Sequence, residues 1–196
     1  MAARIEIVQH RDSWRTEFTA LAERIQGALG PLASRIDHVG STAVPGLAAK
    51  DIIDIQVSVR ALDERVVDAL QSAGFRFRPD IAQDHVPPGA DASPDAWRKL
   101  FFLAPVGERR ANVHVRRAGS PNERYALLFR DHLRAHPLTA TAYAELKRRL
   151  GAALAQADDY PDVKDPAVDL IYLAAAAWAT ATGWTLDPVN RNEPGG

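Results

Sequence analysis

The sequence contains no cysteine and almost no net charge. Without cysteine, a disulfide framework, a thiolate zinc site and a cysteine nucleophile are all excluded, and the absence fits a cytoplasmic protein. Lys and Arg number 24 against 25 Asp and Glu, which gives a formal net charge of -1. Nucleic-acid binding through bulk charge is therefore disfavoured, although Arg109, Arg110, Arg116 and Arg117 lie close together in the sequence.

Long hydrophobic runs are also lacking. The most apolar stretch, residues 171–178, is too short to span a bilayer. The first residues lack the apolar h-region that a secretory signal requires. We therefore expect a cytoplasmic protein that does not associate with membranes.

Apolar periodicity predicts a chain of mixed secondary structure. Apolar residues spaced three and four apart predict helices over residues 13–29, 62–73, 122–135, 139–155 and 166–183. Short runs rich in apolar residues predict strands over 35–39, 51–59, 75–78, 99–106 and 111–116, the last two as an antiparallel hairpin. Residues 79–95 form a long polar loop, typical of a lid or a disordered segment. This order indicates an α+β or mixed α/β layout with a C-terminal helical group.

Residues 38–54, HVGSTAVPGLAAKDIID, place a Gly-Ser-Thr turn between two predicted strands. Gly40 lets a ligand approach the backbone, and the hydroxyl and amide groups of Ser41 and Thr42 favour phosphate. Asp54 on the next strand could hold a divalent ion that bridges phosphates. The structural alternative is a tight turn capped by Ser41, with Asp54 as an ordinary strand-end residue.

Two further strands supply polar candidates. Alternation places Asn112 and His114 on one strand face, which suggests a cleft, although a solvent-facing histidine would show the same pattern. His38 is expected to line this cleft with Ser41, while Asp37 alternates out of phase with it.

Basic residues near these strands are candidate phosphate ligands. They are Lys50 and one of the neighbours Arg98 and Lys99, which point to opposite faces of a regular strand. Ordinary surface charge is the alternative for each of them.

Several of these segments resemble the GrpB family, whose fold is nucleotidyltransferase-like. The resemblance is carried by HVGSTAVPGLAAKDIIDI from residue 38, WRKLFF from 97, NVHV from 112 and LLFRDHLRAHP from 127, followed by Tyr160 and Lys164. It covers residues 4 to about 165. Residues 164–184 resemble the version fused to actinobacterial dephospho-CoA kinases, but the chain has no GxxxxGK[ST] loop and cannot itself be a P-loop kinase.

The resemblance implies an α+β fold in which helices flank a small mixed sheet. We expect one domain over residues 1–187, helical from about 122, with a flexible tail at 188–196. The family's fold also implies an Asp-x-Asp pair on the strand after Gly-Ser. Here Asp54 fits the first position, Gln56 occupies the second, and Asp51 lies on the opposite strand face.

The same resemblance implies a bound metal ion and two further phosphate-binding residues. His114 would replace the missing carboxylate as a ligand, which suits a softer ion such as manganese or zinc. The expected cofactor is a divalent ion, magnesium or manganese ahead of zinc. Arg130 and Lys164 become phosphate ligands, although an ion pair with Asp131 and a helix pinned by Tyr160 are the structural alternatives.

Together these features predict binding of a nucleotide or another phosphorylated small molecule, with metal-dependent nucleotidyl or phosphoryl transfer as the reaction. Asp54 and His114 are the predicted catalytic and metal-binding residues. The predicted ligand-binding residues are His38, Gly40, Ser41, Thr42, Lys50, Arg98, Asn112, Arg130 and Lys164. The alternative is a non-catalytic ligand-binding or protein-interaction domain linked to coenzyme A metabolism, with a protein partner.

Overall fold

A computed structural model of the chain describes residues 5–154 and 159–186. The elements, in chain order, are α1 (Ser13–Leu29), β1 (Ala33–Val39), β2 (Ile53–Val59), α2 (Glu64–Ser72), β3 (Arg76–Phe77), β4 (Lys99–Leu103), β5 (Ala111–Arg117), α3 (Pro121–Ala135), α4 (Pro137–Ala153) and α5 (Tyr160–Thr182). The predicted tail, 188–196, lies outside the described residues, as does the last residue of the helix predicted over 139–155.

The strands form one mixed sheet in the order β1-β2-β5-β4-β3. β2 and β5 are parallel, and the other neighbours are antiparallel, including the predicted hairpin of β4 and β5. β2 is an interior strand between β1 and β5, and its sequence, IDIQVSV, buries nearly every side chain.

One face of the sheet is apolar. Ile53, Ile55 and Val57 of β2 are fully buried there and pack in one cluster with residues of α1 and α2 such as Trp14 and Leu70. In α1, the buried residues Trp14, Leu21, Ile25 and Leu29 recur every four or seven positions, as the sequence predicts.

The opposite face, which we call the polar face, carries Asp54, Gln56 and Ser58 of β2. Residues directly opposite one another in a ladder share a face, so Asn112, His114 and Arg116 of β5 lie beside them in register. α3 covers part of this face, and the Gln56 amide donates to the Glu123 carbonyl oxygen at 3.2 Å.

The C-terminal helices pack against the loop that follows β1. Val44 and Leu47 of that loop form a buried cluster with Phe129 of α3, Tyr143 of α4 and Val168 of α5. This packing brings side chains of α4 and α5 to the Gly-Ser-Thr turn.

Two segments differ from the sequence prediction. α5 begins at Tyr160 rather than at 166, because Pro161 provides the helix start and Pro166 is accommodated inside the helix. The loop 79–95, predicted as a lid or a disordered segment, is fastened to the sheet at Asp84: Asp84 N donates to the Trp97 carbonyl oxygen at 2.9 Å, and the Asp84 side chain is buried on the polar face. Within the described ranges, no helix is long and apolar enough to cross a bilayer.

Candidate functional site

The Gly-Ser-Thr turn lies directly against Asp54. Gly40 has φ of +69°, a left-handed conformation that glycine adopts without strain. A Cβ atom at Gly40 would lie 2.5 Å from Asp54 Oδ2 and 2.9 Å from Asp54 Cβ. Only glycine therefore lets the turn approach the carboxylate this closely.

Asp54 is held by two side chains of β5. Asn112 Nδ2 donates to Asp54 Oδ1 at 2.9 Å, and His114 Nε2 lies 3.9 Å from the same oxygen. Burial raises the pKa of Asp54, but the neighbouring His114 and Asn112 outweigh it and hold the pKa below its ordinary value. The side chain remains 30% exposed, so this ionised carboxylate is accessible to a ligand.

Lys147 of α4, which the sequence analysis missed, reaches the turn from the other side. Its Nζ donates to Ser41 Oγ at 2.8 Å and to the Ala48 carbonyl oxygen at 2.6 Å. The residue is only 3% exposed. Burial, and then Lys164, lower the pKa of Lys147 to about 7.

Lys50 and Lys164 are two further lysines near Lys147. Lys50 Nζ lies 4.1 Å from the centre of the Tyr160 ring, and Lys164 lies 3.3 Å from Asp165 Oδ1. Burial lowers the pKa of Lys50, and the second cause is again Lys164. Lys164 is thus close enough to repel both of the other ammonium groups, and we call Lys50, Lys147 and Lys164 the lysine cluster.

His38 does not line this site, so that prediction is corrected. It pairs with Ile55 in the ladder, which places it on the apolar face. There it stacks on Phe18 with ring centres 4.7 Å apart, and its Nε2 lies 2.9 Å from Thr42 Oγ1. Thr42 is buried as well, so its hydroxyl is committed to His38 and is not presented to a ligand. Asp37, which was expected to be out of phase, shares the polar face instead.

Arg98 and Arg130 are also placed differently from the prediction. The Arg98 side chain is 54% exposed and contacts Asp95 at 3.4 Å, while its neighbour Lys99 points onto the polar face. Arg130 donates to the His38 carbonyl oxygen at 3.1 Å and to Asp131 at 2.7 Å, which fastens α3 to β1. Neither guanidinium belongs to the lysine cluster.

Two of the four clustered arginines are paired within the chain. Arg109 bonds Glu17 and Asp51, and Arg116 is buried against Asp84. Their charge is balanced inside the fold rather than displayed as a basic patch.

A family model described as GrpB protein matches residues 4–173. The chain belongs to the GrpB family. The fold class predicted from the resemblance is confirmed: the crystal structure of the conserved protein GrpB from Enterococcus faecalis matches with a TM-score of 0.71 and 27% identity, over 88% of this chain and 99% of that one.

The relatives that match this chain include two kinds. A dephospho-CoA kinase of Mycolicibacterium paratuberculosis is 35% identical over 93% of this chain and 48% of its own length. A UPF0157 protein of Halalkalibacterium halodurans is 34% identical over 89% of this chain and 84% of its own length. The chain therefore spans about half the length of the kinase-named relatives.

The donor set of this GrpB protein fits one divalent ion rather than two. The described residues contain no group of three or more His, Cys, Asp or Glu side chains arranged for a metal. Asp54 and His114 are two donors, and Mg²⁺ commonly binds one or two carboxylates and takes its other ligands from water and phosphate. Gln56 cannot serve a second ion, because it is fully buried and its Oε1 accepts from Arg116 at 2.6 Å.

Replacing Gly40 with alanine is expected to destabilise the protein by about 1–3 kcal/mol, the usual cost of a non-glycine residue in a strained backbone region. The new Cβ would also displace the Asp54 carboxylate, since the two would overlap. Urea denaturation measures the loss of stability. Gly27→Ala in α1 is the matched control, because nothing lies within 4 Å of a Cβ there. Equal effects of the two substitutions would contradict this role for Gly40.

Proposed function

We propose that this chain binds the phosphate chain of a nucleotide, or of another phosphorylated small molecule, against Ser41 and the lysine cluster. Lys147 carries the proposal. In the described part of the chain its ammonium group is hydrogen-bonded only to neutral oxygens, those of Ser41 and Ala48. A buried ammonium without a carboxylate partner is costly, and a bound phosphate would supply the missing negative charge.

Asp54 has the complementary role in this proposal. Its carboxylate, with His114 beside it, would hold one divalent ion together with phosphate oxygens of the ligand. When bound, such an ion neutralises the charge that develops on phosphate oxygens during transfer. Asn112 keeps Asp54 oriented through its bond to Oδ1.

In the transfer reaction, a hydroxyl oxygen of an acceptor attacks a phosphorus atom of the bound chain. The bond from that phosphorus to its bridging oxygen breaks, and the leaving phosphate takes the electron pair while the lysine cluster holds it. The proton of the acceptor hydroxyl passes to solvent water. Burial lowers the pKa of His114, despite Asp54 nearby, so its imidazole is neutral near pH 7, which is the form that ligates an ion.

A second candidate function is a ligand-binding domain without turnover. Two observations favour it: Arg116 and Glu123 occupy the hydrogen-bonding groups of Gln56 where the family's pattern has a carboxylate, and the chain matches about half of relatives named dephospho-CoA kinase. In this case the site would sense a phosphorylated ligand and the domain would act on a kinase of coenzyme A synthesis.

The experiment is a thermal-unfolding screen of the whole chain with pyrophosphate and nucleoside triphosphates, each with and without Mg²⁺ and Mn²⁺. A ligand at 100 times its Kd stabilises a protein by about 2.7 kcal/mol. Asp54→Asn should remove the metal-dependent part of the stabilisation and leave the metal-free binding of phosphate to the lysines. Asp68→Asn, on the exposed surface of α2, is the matched control.

Release of pyrophosphate or phosphate from a bound triphosphate, in the presence of candidate acceptors, would support the transferase. Binding without any turnover would support the second candidate. No stabilisation by any of these compounds would refute the phosphate site itself.

A further inference from the structure

A cavity of about 290 Å³ lies beside Asn112, the residue whose amide holds Asp54. Its described lining comes from Ile52, from β3 and from the hairpin of β4 and β5, and includes neither Ser41 nor Lys147. Apolar side chains of Ile52, Leu103 and Val106 contribute to its lining. Asn112, whose amide holds Asp54, also borders it, so the cavity and the proposed phosphate site share a boundary.

The register of the sheet connects this cavity to Asp54. Asp54 is opposite Asn112, Asn112 is opposite Leu103, and Leu103 is opposite Arg76. These four residues therefore form one row across the polar face. Arg76 lies three strand spacings from Asp54, about 14 Å along the backbone grid. A small molecule with one end at each residue would lie along this row.

Two guanidinium groups give the cavity its charge. Arg76 uses Nε to donate to the Ala104 carbonyl oxygen at 3.1 Å, and Arg110 also lines the cavity. Neither has a carboxylate partner in residues 5–154 and 159–186. Glu108, the acidic residue of the lining, is paired with Arg24 outside it.

We propose that this cavity binds a second ligand, a small molecule with an apolar body and an anionic phosphate or carboxylate end. The arginines recognise the anion, since a guanidinium presents paired donors that match both acids. Leu103 and Val106 contact the apolar body. The role of this ligand as the acceptor rests on the proposed function, whereas its binding does not.

The test uses phenyl phosphate and benzoate as probes and benzyl alcohol as the uncharged control. Binding is followed by ligand-observed NMR and calorimetry on the whole chain, with pyrophosphate and Mg²⁺ present to fill the lysine cluster. Arg76→Gln and Arg110→Gln, alone and combined, are compared with Arg60→Gln, an exposed arginine elsewhere on the surface. Lys147→Met is included to separate the two sites.

At least one of the two acids is expected to bind in the presence of pyrophosphate, and the tighter one identifies the acid group. The double arginine variant should weaken that binding at least about tenfold, the effect of losing a charged hydrogen bond. Arg60→Gln and Lys147→Met should leave it unchanged. If pyrophosphate fails to bind but the arginine-dependent binding persists, the proposed function falls and this site stands.

Three results would overturn the proposal. One is that neither acid binds the wild-type chain, and another is that benzyl alcohol binds as tightly as the acids. The third is that binding depends on Lys147 rather than on Arg76 and Arg110, which would mean that the probes occupy the lysine cluster.

Discussion

Lys147→Met is expected to weaken pyrophosphate binding about ten- to a hundredfold while the protein remains folded. A hydrogen bond from a charged donor contributes roughly 1.5–3 kcal/mol, and each 1.4 kcal/mol corresponds to about a tenfold change in affinity. Methionine has a similar length and shape but cannot donate. Isothermal calorimetry with pyrophosphate, in the presence and absence of Mg²⁺, measures the loss.

The charge on Lys147 that favours phosphate binding should lower the stability of the fold. The pKa of Lys147 is about 7 in the folded chain against an ordinary value of 10.5, so between these values the unfolded chain binds the additional proton. The free energy of unfolding therefore rises with pH across this window. At pH 7 the buried ammonium opposes folding by a few kcal/mol, at roughly 1.4 kcal/mol per unit of pKa. Methionine relieves that cost but leaves the Ala48 carbonyl oxygen without its donor, about 1–3 kcal/mol.

We thus expect Lys147→Met to be at least as stable as wild type at pH 7, with wild type gaining on the variant toward pH 10. Urea denaturation at several pH values tests this. Arg149→Met is the matched control, because Arg149 lies on the exposed side of the same helix and pairs with Glu145. A constant difference between wild type and Lys147→Met at all pH values would show that Lys147 is not held in the neutral form.

Proton uptake on ligand binding gives an independent measure of the protonation of Lys147. A phosphate beside Lys147 favours the ammonium form, so its pKa rises on binding and the complex takes up a proton near pH 8. Calorimetry in two buffers of different ionisation enthalpy detects that uptake. The complex of the Lys147→Met variant should take up measurably fewer protons.

Regular elements could be predicted because each has a local pattern. The apolar spacing in Ser13–Leu29 locates α1 closely, and the Ile-Val run locates the interior strand β2. The Gly-Ser-Thr turn and Asp54 were also recognisable, since a glycine before two hydroxyl residues and a carboxylate on the next strand have a direct chemical meaning.

Register and tertiary contacts could not be predicted. Whether Asp37 or His38 shares the face of Asp54 depends on how β1 pairs with β2, and no turn of fixed length connects them. Lys147 did carry a signal, because it lies on the buried stripe of α4 with Ala140, Tyr143 and Ala144. Lysine is rarely fully buried unless it is paired, so a lysine on a buried stripe indicates a specific partner. Asp84 had no such signal among the aspartates of its loop.

Asp84→Asn is expected to destabilise the protein by about 3–5 kcal/mol, the cost of removing one partner of a buried ion pair. The Asp84 side chain is 11% exposed. Its two oxygens accept from Lys99 Nζ at 2.7 Å, from Arg116 at 2.7 and 2.9 Å, and from Asn122 Nδ2 at 2.9 Å. Asparagine would leave two buried cations without a counter-charge and would turn an amide toward their donors.

The pH dependence of this contribution has a definite sign. Burial raises the pKa of Asp84, but Arg116 and then Lys99 outweigh it and hold the pKa far below its ordinary value. A carboxylate whose folded pKa is depressed stabilises the fold above its unfolded value, near 3.9, and loses that contribution as pH falls below it. The difference between wild type and Asp84→Asn should therefore be constant from pH 5 to pH 8 and shrink below about pH 4.

Asp80→Asn is the control from the same loop. Asp80 is 58% exposed and pairs with Arg78 at the surface, an arrangement that contributes about 0–1 kcal/mol. Urea denaturation of the two variants shows whether burial of the aspartate determines the loss of stability.

The network around Asp84 also orients the candidate site, since Arg116 bonds Gln56 and lies 3.5 Å from His114 Nδ1. Asp84→Asn should consequently weaken metal-dependent phosphate binding. If Asp84→Asn lost no more stability than Asp80→Asn, Asp84 would not hold this network together.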